Sequence, residues 1–99
     1  MNSLLSSAEI NNRLSDLGPT WTLNDNNHLV AEHRFENFLD AMAFGQAIGA
    51  LAEAANHHPD LLIGWGRCGI ELWTHDAGGL TNADFDLAHQ IRDCYDALP

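Results

Sequence analysis

Lysine is absent from this 99-residue chain, and four arginines stand against fourteen carboxylates, for a formal charge of -10 at pH 7. That excess repels phosphate backbones and anionic headgroups, which argues against direct binding to nucleic acid or a membrane surface. Cysteine is scarce as well. Cys68 and Cys94 are not spaced as CxxC, so they read as small buried apolar residues in a reducing compartment. No stretch approaches the roughly 20 apolar residues of a membrane span, and MNSLLSSAEINNRL lacks the basic start and apolar run of a secretory signal. A cytoplasmic protein is expected. Neither GxGxxG nor a P-loop occurs, and Ser3, Ser6, Ser7 and Ser15 lie in no nucleophile elbow, which argues against a phosphate cradle and a serine hydrolase.

What remains is 45% hydrophobic, enough for one core and one domain over residues 1–99. Ser6 with Glu9 reads as a capping box for a first helix that Gly18 and Pro19 end. Thr20 to Leu23 and His28 to Phe35 read as extended runs around the turn-rich Asn24 to Asn27, a hairpin. Asn37 caps a long helix from Phe38 to about His57, where Pro59 disfavours further helical geometry. Leu61 to Trp65 and Cys68 to His75 form a second hairpin around Gly66 and Arg67. Thr81 with Asp84 opens a last helix whose Leu87, Ile91, Cys94 and Leu98 recur at helical spacing. Phe85 lies off that stripe, which places it at an interface or pocket. The order αββαββα predicts an α+β fold, a four-stranded antiparallel sheet with three helices on one face. The long helix is apolar nearly all round, with small flanks, so a homodimer or homotetramer is expected.

The chemistry gathers between Glu53 and Asp84, where His57, His58 and His75 also fall. Imidazole is the side chain that exchanges protons near neutral pH, so three of them point to proton transfer. Glu53 and His57, four apart on the expected helix, share a face, and the carboxylate can hold the ring. At a helix end, both His57 and His58 can also serve simply as caps. His75 ends the fourth strand before the loop DAGG, where Asp76 can bind a ligand amide or form an Asx turn. Asp84 reads first as the third residue of the capping box. Trp21, Trp65 and Trp73 offer flat faces to a heteroaromatic ring, or to core packing. Adjacent histidines are not the HExxH spacing of a helical zinc site, so no metal and no cofactor are expected.

Glu53, three residues, His57, His58 and Pro59, five residues, Trp65, nine residues, His75, eight residues, Asp84: this pattern resembles the pterin-4a-carbinolamine dehydratase family in residue type and spacing. The resemblance implies dehydration of 4a-hydroxytetrahydrobiopterin, or a related 4a-hydroxytetrahydropterin, to quinonoid dihydropterin and water during tetrahydropterin recycling. It also implies His57, His58 and His75 as the active-site histidines, His57 and His75 being the acid and base and His58 orienting the pterin. Glu53 would hold His57, Trp21 would border the pocket, and Asp76 and Asp84 would complete it. Animal members carry an arginine where this chain has Ala83, and a cysteine where it has Ala77. Some relatives are dimerisation cofactors of a homeodomain transcription factor and others resemble assembly factors for carbon-fixing enzymes, so a protein-binding module is the alternative. A pterin connected with molybdopterin metabolism is a third reading.

Overall fold

A computed structural model describes residues 3–99. Its elements are α1 (Ser7–Leu17), β1 (Thr22–Leu23), β2 (Leu29–Arg34), α2 (Phe38–Ala55), β3 (Asp60–Gly64), β4 (Arg67–Leu72) and α3 (Asn82–Asp96). The fold is α+β, as the order of elements predicts. The strands form one antiparallel sheet in the order β1-β2-β4-β3, with Leu29 opposite Leu72 and Asp60 opposite Glu71. The second hairpin therefore inserts its return strand beside β2 and leaves β3 at an edge.

Side chains alternate along a strand, and here the alternation sorts β2 and β4 into two faces. Leu29, Ala31 and His33 with Cys68, Ile70 and Leu72 are buried on one face. Phe44, Ile48 and Ala52 of α2 and Phe85, Leu87, Ala88 and Ile91 of α3 join them in one apolar cluster. Each helix starts where a side-chain oxygen satisfies its free amides. Ser6 and Thr81 form full capping boxes with Glu9 and Asp84, and Asn37 accepts from the Asp40 amide. The reciprocal bonds with Ser6 hold the Glu9 carboxyl below its usual range.

Three expectations are corrected, and for Trp21 core packing is the reading of the two that the structure takes. The long helix ends at Ala55, two residues before His57. β4 stops at Leu72, so His75 stands beyond it, in a turn closed by a bridge between Thr74 and Gly79. Phe85 is fully buried in the core under the Arg13 guanidinium, 5.4 Å from the ring centre. Trp21 is 2% exposed and packs edge-on against His33, so it is a core residue. Of the cysteines, Cys68 is buried, which raises its thiol pKa, while Cys94 is only partly covered.

Candidate functional site

The site begins with the way α2 ends. Asn56 adopts the left-handed conformation, φ 50° and ψ 43°, which asparagine tolerates better than most residues. Its amide donates to the Glu53 carbonyl at 3.2 Å, and the His57 amide donates to the Ala52 carbonyl at 3.1 Å. These two bonds make a Schellman motif, which closes the helix and turns the chain away from its axis. Pro59 reinforces the stop.

That turn separates the two histidines and reverses the expected pairing. His57 approaches Asp84, with Nε2 2.6 Å from Oδ1, its side chain only 12% exposed and that of Asp84 fully buried. Glu53 instead meets His58, 3.2 Å from Nε2, with both side chains largely in solvent. The i,i+4 geometry would require His57 to be helical, and Asn56 prevents it.

Asp84 serves two structures at once. Its Oδ2 accepts the Thr81 amide at 2.9 Å and the Thr74 hydroxyl at 2.8 Å, while Oδ1 faces His57. Because the Thr74 proton goes to Asp84, the Thr81 hydroxyl must donate to Thr74, 2.8 Å away. A carboxylate in the first turn of α3 also gains from the positive end of the helix dipole. As a carboxylate its Oδ1 accepts a hydrogen bond from the Nε2–H of His57, leaving Nδ1 as the ring nitrogen open to exchange.

His57, His58 and His75 line one open cavity of about 330 Å³ together with Asn56, Pro59, Asp60, Thr74 and Asp76. The turn after Thr74 brings His75 there. The Gly78 amide returns to the Thr74 carbonyl at 2.9 Å, with Gly78 at φ 73°, a conformation glycine adopts without strain. Asp76 lies exposed on the rim. Asp84 sits behind His57, and Glu53 reaches the site only through His58. Trp21 borders a different cavity, with Pro19, His33 and Tyr95, because its side chain turns to the helix side of the sheet. Trp65 is 75% exposed in the β3–β4 turn, at the far end of β3, roughly 17 Å along the strand from Asp60. A larger cavity of about 720 Å³ on the sheet's outer face is lined by Val30, Leu61, Leu62 and other residues, none of them histidine.

Asn56 and Thr74 belong to the site without standing out in the sequence. An asparagine three residues before a proline at a helix end was the available signal for the first. For Thr74 there was none, since its hydroxyl matters only once α3 packs over it.

The profile of the family described as Pterin 4 alpha carbinolamine dehydratase matches residues 3–94. The chain belongs to that family. A relative from Chloroflexus aggregans is 51% identical to this dehydratase-family chain over 87 residues, 88% of this chain and 92% of its own length. One from Haloarcula marismortui is 44% identical over 96 residues, 97% of this chain and 100% of its own. Both carry the name "Putative pterin-4-alpha-carbinolamine dehydratase". Among solved structures, a transcriptional coactivator/pterin dehydratase from Brucella melitensis superposes on this family member with a TM-score of 0.84 at 27% identity, covering 90% of this chain and 95% of the other. A pterin dehydratase-like protein identified as a RuBisCO assembly factor in the alpha-carboxysome shares the fold, with a TM-score of 0.62 at 22% identity over 78% of this chain and 90% of the other.

Proposed function

We propose that the protein is a hydro-lyase that dehydrates 4a-hydroxytetrahydrobiopterin, or a related 4a-hydroxytetrahydropterin, to quinonoid dihydropterin and water in tetrahydropterin recycling. The observation that carries this reading is the convergence of His57, His58 and His75 on one cavity in a chain of this family. The reaction breaks the C4a–O bond. One group protonates the departing hydroxyl, which leaves as water, and another takes the proton from N5, so nothing is oxidised and no proton is lost. His57 and His75 are the acid and base, and His58, tied loosely to Glu53, orients the pterin with Asp76. Asp84 is a positioning residue: by accepting a hydrogen bond from Nε2–H it keeps His57 in the tautomer whose Nδ1 can exchange.

The test follows the 4a-hydroxypterin, generated in situ by a hydroxylase, with wild-type protein, His57→Ala and His75→Ala. Wild type should accelerate dehydration and each variant should lose about 10²- to 10⁴-fold, the usual worth of a positioned acid or base. A folded wild type that only matches the spontaneous rate would end the dehydratase reading. The alternative is then a protein-binding module, which the coactivator description of the Brucella protein supports. The reading includes a cytoplasmic homodimer or homotetramer. Phe38, Leu39 and Met42 on α2 and Leu61 and Leu62 on the edge strand are exposed apolar groups of the kind an interface covers. Sedimentation of the purified protein checks it.

A further inference from the structure

Each of the three cavity histidines needs something to fix its ring, and two have a carboxylate. Ring hydrogen bonds among the described residues are made by His28, His57 and His58, and not by His75. What His75 has is a surface. Its ring lies flat on Trp73, with centroids 4.3 Å apart and planes 12° from parallel. The other face of Trp73 is covered by His28, at 4.1 Å and 4°, so the indole is held between two imidazoles. The pleat and the turn after it produce this column. Glu71 and Trp73 alternate onto one face, continuing the pairing of Leu29 with Leu72 puts His28 opposite Trp73, and the turn closed by Thr74 and Gly79 lays His75 on the indole.

The far end of the column is anchored. Glu71 Oε2 lies 2.6 Å from His28 Nδ1 and accepts the Asn24 side-chain amide at 2.9 Å. These bonds, that of His28 foremost, hold the Glu71 carboxyl below its usual range. An ionised carboxylate only accepts, so His28 Nδ1 is the donor. Asn24 in turn accepts the His28 backbone amide at 2.9 Å through its side chain and donates its own amide to the His28 carbonyl at 3.0 Å. The hairpin loop thereby fixes His28, His28 packs Trp73, and Trp73 sets the plane of His75.

We propose that Trp73 is the positioning residue for His75, with His28, clamped by Glu71 and Asn24, as its backstop. A stacking surface suits a group that must change protonation during turnover. A hydrogen-bond partner favours one charge state, whereas an indole face accepts the neutral ring by stacking and the imidazolium through cation–π attraction. His75 can thus keep one orientation through a full proton-transfer cycle. The catalytic part of this inference rests on the dehydratase reading; the geometric part does not.

The experiment separates the two. Histidine ring protons are assigned by NMR in wild type, Trp73→Leu, Trp73→Phe and His28→Ala, and kcat and KM for dehydration are measured on the same samples. The indole ring current should shift His75 ring protons upfield of those of His58 in wild type, and Trp73→Leu should abolish that displacement. The same variant should lower kcat about tenfold with KM within about threefold, and Trp73→Phe should restore most of the loss. Should Trp73→Leu fail to fold, His28→Ala carries the test, because freeing one face of the indole should still move the His75 resonances. Wild-type His75 resonances without the upfield displacement overturn the stack. A folded Trp73→Leu with wild-type kcat, or a Trp73→Phe no better than Trp73→Leu, overturns the positioning role. A wild type that does not accelerate dehydration but shows the His75 displacement removes the dehydratase reading and leaves the stack standing.

Discussion

Replacing Asp84 tests whether one buried carboxylate supports both the last helix and His57. Asp84→Ala removes the acceptor for the Thr81 amide, the Thr74 hydroxyl and His57. Each hydrogen bond to a charged group is worth about 1.5–3 kcal/mol, and loss of a cap costs about 1 kcal/mol. These losses overlap, because all three donors share two oxygens, so the expected cost is about 3–5 kcal/mol, that of breaking a buried pair. For a chain of this length that lowers the melting temperature by about 15–30 °C. Asp84→Asn separates the two roles. Its oxygen can still accept from Thr81 or Thr74, so destabilisation should be about 1–2 kcal/mol. Its amide, however, must donate to His57 Nε2, which forces the ring proton onto Nδ1 and blocks the nitrogen proposed to exchange. Dehydration should fall at least about a hundredfold in a protein that is still folded. Thermal melts and initial rates on the two variants decide the matter. Asp84→Asn with wild-type activity would refute the tautomer argument, and Asp84→Ala within about 1 kcal/mol of wild type would refute the shared-carboxylate argument.

His33 is 4% exposed among Trp21, Phe44 and Tyr95, and burial lowers its pKa below 6.5, opposed in part by Asp96. Its unfolded state therefore binds a proton first. Stability should be constant above about pH 6.5 and fall with decreasing pH down to the folded pKa, by up to about 1.4 kcal/mol per unit. Denaturant melts of His33→Phe should lose that slope. Glu53→Gln should change stability by less than about 1 kcal/mol, since both partners of the pair are solvated. It should raise KM modestly with kcat steady, and salt near 1 M, where the Debye length is about 3 Å, should mimic it in wild-type kinetics. Asn56→Gly should melt like wild type, whereas Asn56→Ala should cost about 1–2 kcal/mol at its positive φ and slow dehydration by displacing His57.

The elements that local chemistry punctuates were legible. Ser6, Asn37 and Thr81 cap where their spacing says they should, and Gly66, at φ 71°, turns the hairpin between two strand-like runs. The three histidines and Asp84 were legible as a set, and the structure brings them together. Their pairing was not. Whether His57 faces Glu53 or Asp84 depends on one residue, Asn56, whose left-handed conformation ends the helical periodicity before the histidines. Phe85 escaped for another reason. α3 packs against both α1 and α2, so its buried arc is wider than the single stripe that Leu87 and Ile91 trace. Trp21 escaped because a side chain at the start of a short edge strand can turn to either face of the sheet, and nothing local decides which.

The three histidines are held by three different physical means, and the differences match the role proposed for each. His57 is tied to a carboxylate that is itself locked by Thr74 and Thr81, so it cannot move without disturbing the start of α3. His75 is fixed in plane by Trp73 but bound at neither nitrogen among the described residues, which leaves both open to proton exchange in the proposed reaction. His58 has a solvated ion pair, loose enough to adjust to a ligand. A site made only of buried ion pairs would be rigid in geometry and also in charge. One made only of exposed pairs would hold neither. Proton transfer requires fixed positions with variable charge, and a locked carboxylate on one side of the cavity with an aromatic surface on the other supplies that combination.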